Sequence, residues 1–564
     1  MFKRLLIAQR KAATFQRIRC NCRQLSTVSE NNTAKTGQPQ TAEKEKNEDV
    51  RELLVNLMDT APSKRELQQF LKRYVPQQQA PSSTDLGLGY DNDSKTMSPK
   101  DYVSDLLAPS YTNQIALTKV QGPFAKGEWQ AVGKTLFKLQ KLGLTSIVVA
   151  DNLSWGTEKA YASLKERGLM MVRESMALVE AIEKAGGRAQ LIYGGLLEYN
   201  SSEGPLDVNM DFIHSALNNQ QIPIIVPTAS LAQHDRYQHH SPPEKQRSID
   251  ANDVMIALAQ KLVSNKKSSL DTRLTTPSKI VVINSEGGIP NHEYSGNSAH
   301  SLINVQEEYD IIVDAFKNQP SWRTTHPSAL SNLKMIRTCL AELPPTTSSA
   351  VIVPTSSLPS ALIANLVTDK PLYSSSLPID NKDNISAIQR VNQMRTTVLR
   401  HGIKIQNYST LDDVDLPRLT ALLEASFQKK LDVHGYYKRL GPILAGAIIA
   451  GDYEGAVLMT DESKNVATGP HQTPIHYLDK FAIAPTSQGI GLTDILWKRM
   501  CDTYPELLWR SRKDNGVNKW YFERSNGYLR LSDSNWVLFW HGLNGCHQLD
   551  AYATIARGIP ASFV

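Results

Sequence analysis

The sequence predicts an α/β protein with two domains in tandem, and two of its patterns carry that prediction. Short Val- and Ile-rich runs alternate with helical segments between about residues 110 and 400: "TSIVVADN", "RAQLIYGGLL", "IPIIVPT", "KIVVINSEGG" and "SAVIVPT". Runs that are apolar throughout suit strands buried on both faces, and the intervening helices supply the crossovers of a parallel sheet. Five of the eight tryptophans then fall between Trp497 and Trp540, which indicates a second domain with its own aromatic core.

The start of the chain differs in charge from the rest. "MFKRLLIAQRKAATFQRIRCNCRQLS" carries seven Lys and Arg residues, and the first acidic residue is Glu30. Because this stretch is Arg-rich, free of acid and amphipathic, we predict a mitochondrial transit peptide over residues 1–26 and a mitochondrial matrix location. A disordered basic tail is the alternative. Taking those seven charges from the formal +6 leaves about −1, which argues against general nucleic-acid binding.

Composition also bears on membranes and metals. No segment approaches the ~18 uninterrupted apolar residues of a membrane-spanning helix, so no membrane association is predicted. The five cysteines lack metal-ligand spacing, and His239 and His240 lie in a polar loop, so no metal is expected. Residues 27–100 are rich in polar side chains around one amphipathic stretch, and we predict a polar, partly helical linker region there.

The last domain, predicted over residues 405–564, begins with a helix signal and contains a glycine-bearing turn. Asp415 suits an N-cap, with Pro417 at the first helical position. In "TSQGIGLTDILW", Gly489 and Gly491 precede apolar residues at helical spacing, namely Leu492, Ile495, Leu496 and Met500. Such a turn presents free amides at a helix N-terminus, which favours an anion such as pyrophosphate. A purely structural turn is the alternative, since glycines before helices are common.

This turn resembles motif A of the GCN5-related acetyltransferases, whose pattern is Q/R-x-x-G-x-G/A. Gln488 and Gly491 match it, and Thr493 replaces the small residue that is usual at the last place. The resemblance implies acetyl-CoA as co-substrate, with its pyrophosphate held by amides of the turn. The cofactor-binding residues that it implies are Ile483, Gln488, Gly489, Ile490, Gly491, Leu492 and Thr493.

The flanking sequence narrows the resemblance. "YLDKFAI", "LLWRSRKDNGVNKWYFERSNGYL" and "WVLFWHGL" are similar to the catalytic domain of the eukaryotic N-acetylglutamate synthases, over about 410–545. That family transfers acetyl directly from acetyl-CoA to the α-amino group of L-glutamate in a ternary complex, the first step of arginine biosynthesis. The implied catalytic pair is Asn515 and Tyr521. The implied substrate-binding residues are Lys429, with Lys430 as an alternative register, and Tyr477, Leu478, Lys480, Arg510 and Arg512.

Residue chemistry agrees with the two arginines as substrate ligands. Arg510 and Arg512 are two apart on a predicted strand, so both guanidinium groups leave the same face. Two bidentate receptors side by side suit a dicarboxylate such as glutamate. A solvated strand face is the alternative for the arginines, and a plain surface charge is the alternative for Lys429 or Lys480.

Tyr521 and Asn515 suit the reacting end of the site. A tyrosine hydroxyl can give a proton to the leaving thiolate, and an asparagine amide can orient the cofactor. We expect Trp520 and Phe522 on one face of a strand, which turns Tyr521 toward the cleft. A place for Tyr521 in the core is the alternative.

The domain predicted over residues 101–404 resembles the amino-acid kinase fold of acetylglutamate kinase. "ALTKVQGPF" stands where that fold has its first strand and glycine turn, and "SIDANDVMIALAQKL" resembles one of its helices. Pro123 removes an amide that a nucleotide phosphate would use, which predicts a regulatory domain without kinase activity. The family implies L-arginine as feedback inhibitor. Residues 368–375 differ from the family's glycine loop, so the sequence does not locate the arginine site. A homo-oligomer is expected.

The predicted fold class is therefore an amino-acid kinase-like α/β domain with a mostly parallel central sheet, followed by a GCN5-related acetyltransferase α/β domain. Three hypotheses for function follow. The leading one is a glutamate N-acetyltransferase. The second is a bifunctional synthase and kinase, and the third is a regulatory, arginine-sensing subunit that docks on a separate acetylglutamate kinase.

Overall fold

A computed structural model describes much of the chain from residue 114 onward. The described residues are 114–156, 164–199, 206–231, 247–268, 276–292, 298–345, 348–358, 362, 365, 395–463, 474–488, 491–532 and 534–563. The predicted transit peptide and linker lie outside these ranges, as do the loop at 368–375 and the pair His239 and His240. We call residues 114–400 the N-terminal lobe and residues 405–563 the C-terminal lobe.

Two sheets form the N-terminal lobe. Its strands are β1 (Gln114–Gly122), β2 (Leu144–Asn152), β3 (Ala189–Ile192), β4 (Leu197–Tyr199), β5 (Leu206–Val208), β6 (Ile222–Ile225), β7 (Thr228–Leu231), β8 (Arg247–Ser248), β9 (Lys279–Asn284), β10 (Leu302–Asn304), β11 (Ser349–Pro354) and β12 (Thr397–Arg400). Eight of them make one sheet in the order β10-β12-β11-β9-β1-β2-β6-β3, and the others make a small sheet in the order β5-β4-β7-β8.

The large sheet is mostly parallel, as predicted. Every pairing within it is parallel except that of β11 with β12. The five Val- and Ile-rich runs become β2, β3, β6, β9 and β11, and β9 is buried at all of its positions. Burial on both faces is what continuous apolar runs require, so the sequence pattern and the layered architecture agree.

Helices cover this sheet. They are α1 (Lys126–Lys141), α2 (Leu164–Lys184), α3 (Asp211–Asn218), α4 (Ala251–Ser268), α5 (Val305–Asn318), α6 (Trp322–Thr325) and α7 (Ala329–Glu342). The apolar spacing of "YASLKERGLMMVRESMALVEAIEKAGG" and "SIDANDVMIALAQKLVSN" predicts two helices, which are α2 and α4. Helices α4 and α7 bury their apolar faces in one core with β1, β2, β9 and β11.

The C-terminal lobe has a seven-stranded sheet in the order β13-β14-β15-β16-β17-β19-β18. Its strands are β13 (Ile405–Tyr408), β14 (Leu444–Ala450), β15 (Gly455–Asp461), β16 (His476–Ile483), β17 (Leu507–Arg512), β18 (Gly527–Arg530) and β19 (Trp536–His541). Its helices are α8 (Leu416–Phe427), α9 (Val433–Leu440), α10 (Leu492–Thr503), α11 (Asn518–Arg524) and α12 (Leu549–Gly558).

Local chemistry sets the start of α8. The Asp415 carboxylate accepts a hydrogen bond of 3.0 Å from the Arg418 amide, so the predicted N-cap is confirmed. Because α8 begins at Leu416, Pro417 takes the second helical position and not the predicted first one. Leu419, Leu422 and Leu423 face the core of the lobe, as their spacing predicts.

One strand prediction is wrong. Residues 520–522 belong to helix α11, so strand alternation does not decide where their side chains point. The run "KWYF" is rich in aromatic residues that favour strands, yet a short aromatic run fits a helix as well when tertiary contacts favour it. Across the described ranges, no helix is long and apolar enough to cross a membrane.

Candidate active site

The site lies where two neighbouring strands of the C-terminal lobe separate. In the described residues, β16 pairs with β17 only at His476 with Leu507 and at Tyr477 with Leu508. All other pairings in this sheet are antiparallel, and this parallel one ends after two residues. Beyond Tyr477 the strands diverge, so their facing backbone groups are available to a ligand that enters the opening.

A β-bulge interrupts β16 at the mouth of this opening. Leu478 pairs with Met459 of β15 and Lys480 pairs with Leu458, so Asp479 has no partner residue on β15. A bulge bends its strand and re-aims side chains, and bulges are frequent beside active sites. Asp479 and Lys480 therefore present their side chains together, where a regular strand would separate them.

The glycine turn leads into α10 beside the opening. Gly491 is the N-cap of α10 and has a φ of 82°, a left-handed conformation that a residue with a Cβ adopts at a cost. The first amides of a helix have no partner within the helix, and the helix dipole adds positive potential there. Leu492, Ile495, Leu496 and Met500 are buried, which confirms the predicted apolar face.

Three of the remaining predicted cofactor residues, Ile483, Gln488 and Thr493, belong to the described part of the chain. Ile483 is buried at the end of β16 and its amide donates to Ser426 Oγ at 3.2 Å. Gln488 is half-buried and Thr493 lies in the first turn of α10. Gly489 and Ile490 lie outside the described residues. The helix start thus has the geometry of an anion site, which fits the diphosphate of a coenzyme A.

Aromatic rings pack behind the opening. Trp497 of α10 contacts Trp509 of β17 edge-to-face at 5.3 Å between ring centroids, and Trp520 of α11 at 4.8 Å. The predicted aromatic core is therefore present. Tyr521 lies among these rings, 5.5 Å from Trp509 and 5.6 Å from Phe539.

The Tyr521 hydroxyl is held in its protonated form. Burial raises the pKa of Tyr521 to about 12. No described residue forms a hydrogen bond with this hydroxyl. A neutral phenol at physiological pH is a competent proton donor, and its surroundings keep it ready for a substrate atom.

Asn515 stands in the turn between β17 and α11. Its amide donates to Ser511 Oγ at 2.9 Å, and its side-chain oxygen accepts from the Val517 amide at 3.0 Å. These bonds form an Asx-turn that shapes the start of α11, which carries Tyr521. Arg524 at the other end of α11 is buried and pairs with Asp494 of α10 at 3.7 Å, so α11 is held at both ends.

Arg510 and Arg512 leave the same face of β17, as their spacing predicts. Both guanidinium groups lie over the Trp536 ring, at 4.2 Å and 5.8 Å from its centroid. Arg510 donates to the carbonyl oxygens of Ala556 and, at 2.6 Å, Ile559, so it caps the end of α12. Arg512 is exposed. This face is opposite to the face of Trp509, against which Tyr521 packs.

Lys480 lies in a buried charged cluster that sequence analysis did not find. Its ammonium contacts Asp479 Oδ2 at 2.8 Å, and only 9% of its side chain is exposed. Asp479 also accepts a hydrogen bond from the Tyr436 hydroxyl at 2.7 Å and pairs with Arg439. Burial lowers the pKa of Lys480 and Asp479 opposes that shift. We call Asp479, Lys480, Tyr436 and Arg439 the bulge cluster.

The other predicted substrate residues occupy three environments. Tyr477 is buried in a core cluster with Leu508 and Trp540, and Leu478 is buried beside it. Lys429 is exposed in the turn after α8. The alternative, Lys430, forms an ion pair of 2.8 Å with Glu424, a bond that leaves Lys429 as the less constrained of the two lysines.

The N-terminal lobe contacts α10. Glu308 of α5 and Lys498 of α10 form an ion pair of 3.0 Å, with 19% of each side chain exposed. A Cβ added to Gly491 would lie 3.6 Å from the Leu302 side chain of β10. The helix that begins at the anion site therefore touches the other lobe, a contact that no sequence pattern signalled.

A second buried lysine lies in the N-terminal lobe. Lys119 of β1 is fully buried and contacts Asp151 Oδ2 at 3.0 Å. It also donates to Asn252 Oδ1 at 2.7 Å and to Asn332 Oδ1 at 2.9 Å. Pro123 follows Gly122 at the end of the same strand. Within the described ranges no group of three or more His, Cys, Asp or Glu residues is arranged to hold a metal ion.

Separating strands, a helix start with unpartnered amides and a protonated tyrosine suit an N-acetyltransferase, and the comparisons with known proteins give the C-terminal lobe that class. The family model described as the N-acetyltransferase domain of N-acetylglutamate synthase matches residues 406–558. Similar proteins named mitochondrial amino-acid acetyltransferase occur in Laccaria bicolor (35% identity, 87% of this chain and 92% of the relative) and Coprinopsis cinerea (36%, 78% and 74%). A relative of the same name in Schizosaccharomyces pombe is 29% identical over 79% of this chain and 87% of its own.

The chain belongs to the amino-acid acetyltransferase family. The family and the enzyme class predicted from the sequence are confirmed, and the two-domain α/β fold class is confirmed with them. The family uses acetyl-CoA as acetyl donor. The roles of individual site residues and the domain boundaries stay predictions.

Proposed function

We propose that this protein transfers the acetyl group of acetyl-CoA to the α-amino group of L-glutamate, directly and within a ternary complex. One observation carries the proposal: β16 and β17 separate after two paired residues, and the separating strands carry Lys480, Arg510 and Arg512 in the same lobe as the Gly491 turn that begins α10. The anion site suits the diphosphate of coenzyme A, and the cations suit a dicarboxylate amino acid. Both substrates then meet at the separated strands.

Each predicted residue has a task in this reaction. Amides at the start of α10, from Gly491, Leu492 and Thr493, hold the coenzyme A diphosphate, and Gln488 and Ile483 border it. Lys480, Arg510 and Arg512 receive the carboxylates of glutamate, with Lys429 at the edge. Main-chain groups of Tyr477 and Leu478 face the substrate at the point where β16 leaves β17.

The chemical step needs a donor at the leaving thiolate. The neutral amine of glutamate attacks the thioester carbonyl, the C–S bond breaks, and the Tyr521 hydroxyl gives its proton to the sulfur or hydrogen-bonds the tetrahedral oxygen. The proton that the nitrogen loses passes to water, or through water to the tyrosinate, which balances the step. Asn515 has two tasks. It forms the turn that positions α11, and its side chain orients the thioester of acetyl-CoA. Direct transfer requires both substrates at once, since no nucleophilic side chain is assigned to carry the acetyl group.

The regulatory part of the proposal concerns the N-terminal lobe. We propose that L-arginine inhibits the enzyme through this kinase-like lobe, that the lobe has no kinase activity, and that the protein forms a homo-oligomer in the mitochondrial matrix. The saturated Lys119 ammonium and Pro123 support the absence of phosphoryl transfer. The ion pair of Glu308 with Lys498 supports a coupling between the N-terminal lobe and α10, the helix proposed to bind acetyl-CoA. Docking on acetylglutamate kinase is the alternative role.

The test is acetylglutamate formation by the purified chain with acetyl-CoA and glutamate varied together. Intersecting initial-velocity lines are expected for a ternary complex, and parallel lines would mean an acetyl-enzyme. Aspartate is the matched control substrate, since it is one methylene shorter, and its kcat/KM is expected to be lower by at least about tenfold. No acetylglutamate from folded protein would remove the catalytic proposal. Activity that does not change when arginine is added would contradict the proposal that arginine is an inhibitor.

A further inference from the structure

A carboxylate with no assigned task is buried at the bulge of β16. Only 1% of the Asp479 side chain is exposed, although ionised aspartates avoid such burial unless they are paired. Asp479 accepts from the Tyr436 hydroxyl and from the Lys480 ammonium, and it pairs with the Arg439 guanidinium. Tyr436 and Arg439 both belong to α9. The bulge residue therefore ties β16 to α9 and to Lys480.

Asp479 is ionised and cannot act as the base that takes a proton from the substrate. Burial alone would raise its pKa, but Lys480 and Arg439 outweigh burial and lower the pKa of Asp479. Its two oxygens already accept three donors. A carboxylate with this environment is a counter-ion, since a base needs a free lone pair directed at the substrate.

The same contacts restrict the Lys480 ammonium. An ammonium group has three N–H donors. Lys480 donates to Asp479 Oδ2 at 2.8 Å and to the Asp479 backbone carbonyl at 3.2 Å. The third N–H has no hydrogen-bond acceptor among the described residues, and the ammonium lies 4.8 Å from the Tyr436 ring centroid and 5.6 Å from the Phe563 ring centroid. Two of the three donors are thereby engaged, which leaves one donor for a ligand.

We propose that Asp479 is a positioning residue for the amino-acid substrate: it fixes the Lys480 ammonium so that one N–H is directed at a substrate carboxylate. This inference rests on the proposed function, because it requires Lys480 to bind that carboxylate. Fixing the donor before the substrate arrives lowers the entropy lost on binding. Asp479 also preserves the positive charge of Lys480, which burial and the neighbouring Arg439 and Arg510 disfavour.

The test compares Asp479→Asn with the unchanged enzyme across pH. Asparagine keeps the size of the side chain but removes its charge. We expect the KM for glutamate to rise about tenfold, as for the loss of one charge-assisted hydrogen bond, while the KM for acetyl-CoA stays within twofold. Since Asp479 opposes the lowered pKa of Lys480, its loss shifts the alkaline decline of kcat/KM for glutamate to lower pH. A merely structural residue would leave that decline where it is.

A double-mutant cycle shows whether Asp479 acts through Lys480. In a Lys480→Met background, Asp479→Asn should change the KM for glutamate by less than about twofold, because the donor that it positions is gone. Additive effects would overturn the proposal. Asp151→Asn, in the other buried lysine–aspartate pair, is the matched control and should leave the alkaline decline unchanged. Asp479→Glu keeps the charge, so its decline should stay at the position found for the unchanged enzyme.

The outcomes separate this inference from the proposed function. If the unchanged enzyme makes no acetylglutamate, the proposed function fails first. If it is active and Lys480→Met has an unaltered KM for glutamate, the role of Lys480 fails and this inference fails with it. If Lys480→Met is impaired but Asp479→Asn shows neither the KM change nor the pH shift, only the positioning role is overturned. Should Asp479→Asn not fold, Asp479→Glu decides through the KM for glutamate. Its longer side chain displaces the Lys480 ammonium, so this KM should rise while the decline stays in place, and an unaltered KM would overturn the positioning role.

Discussion

The two lobes each bury a lysine against an aspartate, and the two pairs differ in what they leave free. In the N-terminal lobe, Lys119 and Asp151 are 3.0 Å apart, and in the C-terminal lobe, Lys480 and Asp479 are 2.8 Å apart. Lys119 has three acceptors, from Asp151, Asn252 and Asn332, so all of its N–H donors are used. Lys480 has one donor left. A buried ion pair alone therefore does not identify a binding site; the count of unused donors does.

The sheets around the two lysines differ in the same sense. β1 pairs with β2 along nine residues and also with β9, so Lys119 lies between fully paired strands. β16 pairs with β17 at only two positions, beside the bulge that carries Asp479. Complete strand pairing encloses Lys119 in the N-terminal lobe, and interrupted pairing leaves an opening beside Lys480 in the C-terminal lobe. We therefore expect the active site where the strand pairing is incomplete.

The largest expected effect tests the open side of this comparison. Tyr521→Phe removes the proposed proton donor while keeping the ring among Trp509 and Phe539. Because general acid catalysis contributes about 10²–10⁴-fold, kcat should fall by about 10²-fold or more with little change in the KM for glutamate. Steady-state kinetics measure this. Tyr528→Phe, at an exposed tyrosine of β18, is the control and should keep kcat; equal losses in both variants would contradict the role of Tyr521.

A second prediction sets the two lysines directly against each other. Lys480→Met should lower kcat/KM for glutamate by about 10- to 100-fold, the value of one charged hydrogen bond of ~1.5–3 kcal/mol. Lys119→Met should leave the KM for glutamate unchanged but lower the free energy of unfolding by about 3–5 kcal/mol, because Asp151 loses its buried partner. Kinetics and urea denaturation distinguish the two. A raised KM for glutamate in Lys119→Met would refute the contrast.

The glycine turn gives a smaller expected effect. Gly491→Ala forces a residue with a Cβ to a φ of 82°, at a cost of about 1–2 kcal/mol. The KM for acetyl-CoA should rise by up to about fivefold, since dipole contacts with an anion are worth ~0.3–1 kcal/mol. Gly127→Ala is the control, because nothing lies within 4 Å of a Cβ there and the site is helical. An unchanged KM for acetyl-CoA would remove the turn from the cofactor site.

The smallest effect concerns folding and leaves the site untouched. Asp415→Ala removes the side-chain acceptor at the start of α8 and should lower the free energy of unfolding by about 1 kcal/mol. Asp415→Asn keeps an acceptor and should stay within a few tenths. Thermal and urea melts check both variants, with kinetic constants equal to those of the unchanged enzyme. Altered KM values would show that α8 reaches the site after all.

Sequence patterns predicted what depends on local periodicity. The apolar runs predicted the parallel sheet, and Asp415 and the face of α10 were also found, since caps and helical spacing are encoded within a few residues. They also predicted that Arg510 and Arg512 share a face. The capping of α12 by Arg510 was beyond reach, because its carbonyl partners lie more than forty residues away along the chain.

The bulge cluster shows the same limit more sharply. "YLDKFAI" reads as an ordinary strand, and nothing in those letters reveals that Asp479 lacks a partner on β15. Its other contacts, Tyr436 and Arg439, come from α9, some forty residues earlier. The helix α11 was misjudged because aromatic residues favour strands until the surrounding packing decides otherwise. Sequence patterns therefore missed the features that depend on contacts between residues far apart in the chain.

Leu478 and Lys480 pair with adjacent residues of β15. Asp479 is therefore an additional residue in β16 that leaves the pairing register unchanged on either side. Deleting it would leave every other pair of β15 and β16 in register and turn an interrupted ladder into a continuous one. A bulge of one residue keeps the same side chains on each face of the sheet before and after it, so the inside and the outside of the strand are not exchanged. The bulge therefore adds one acidic side chain to the sheet and leaves the core-facing residues of β16 where they are.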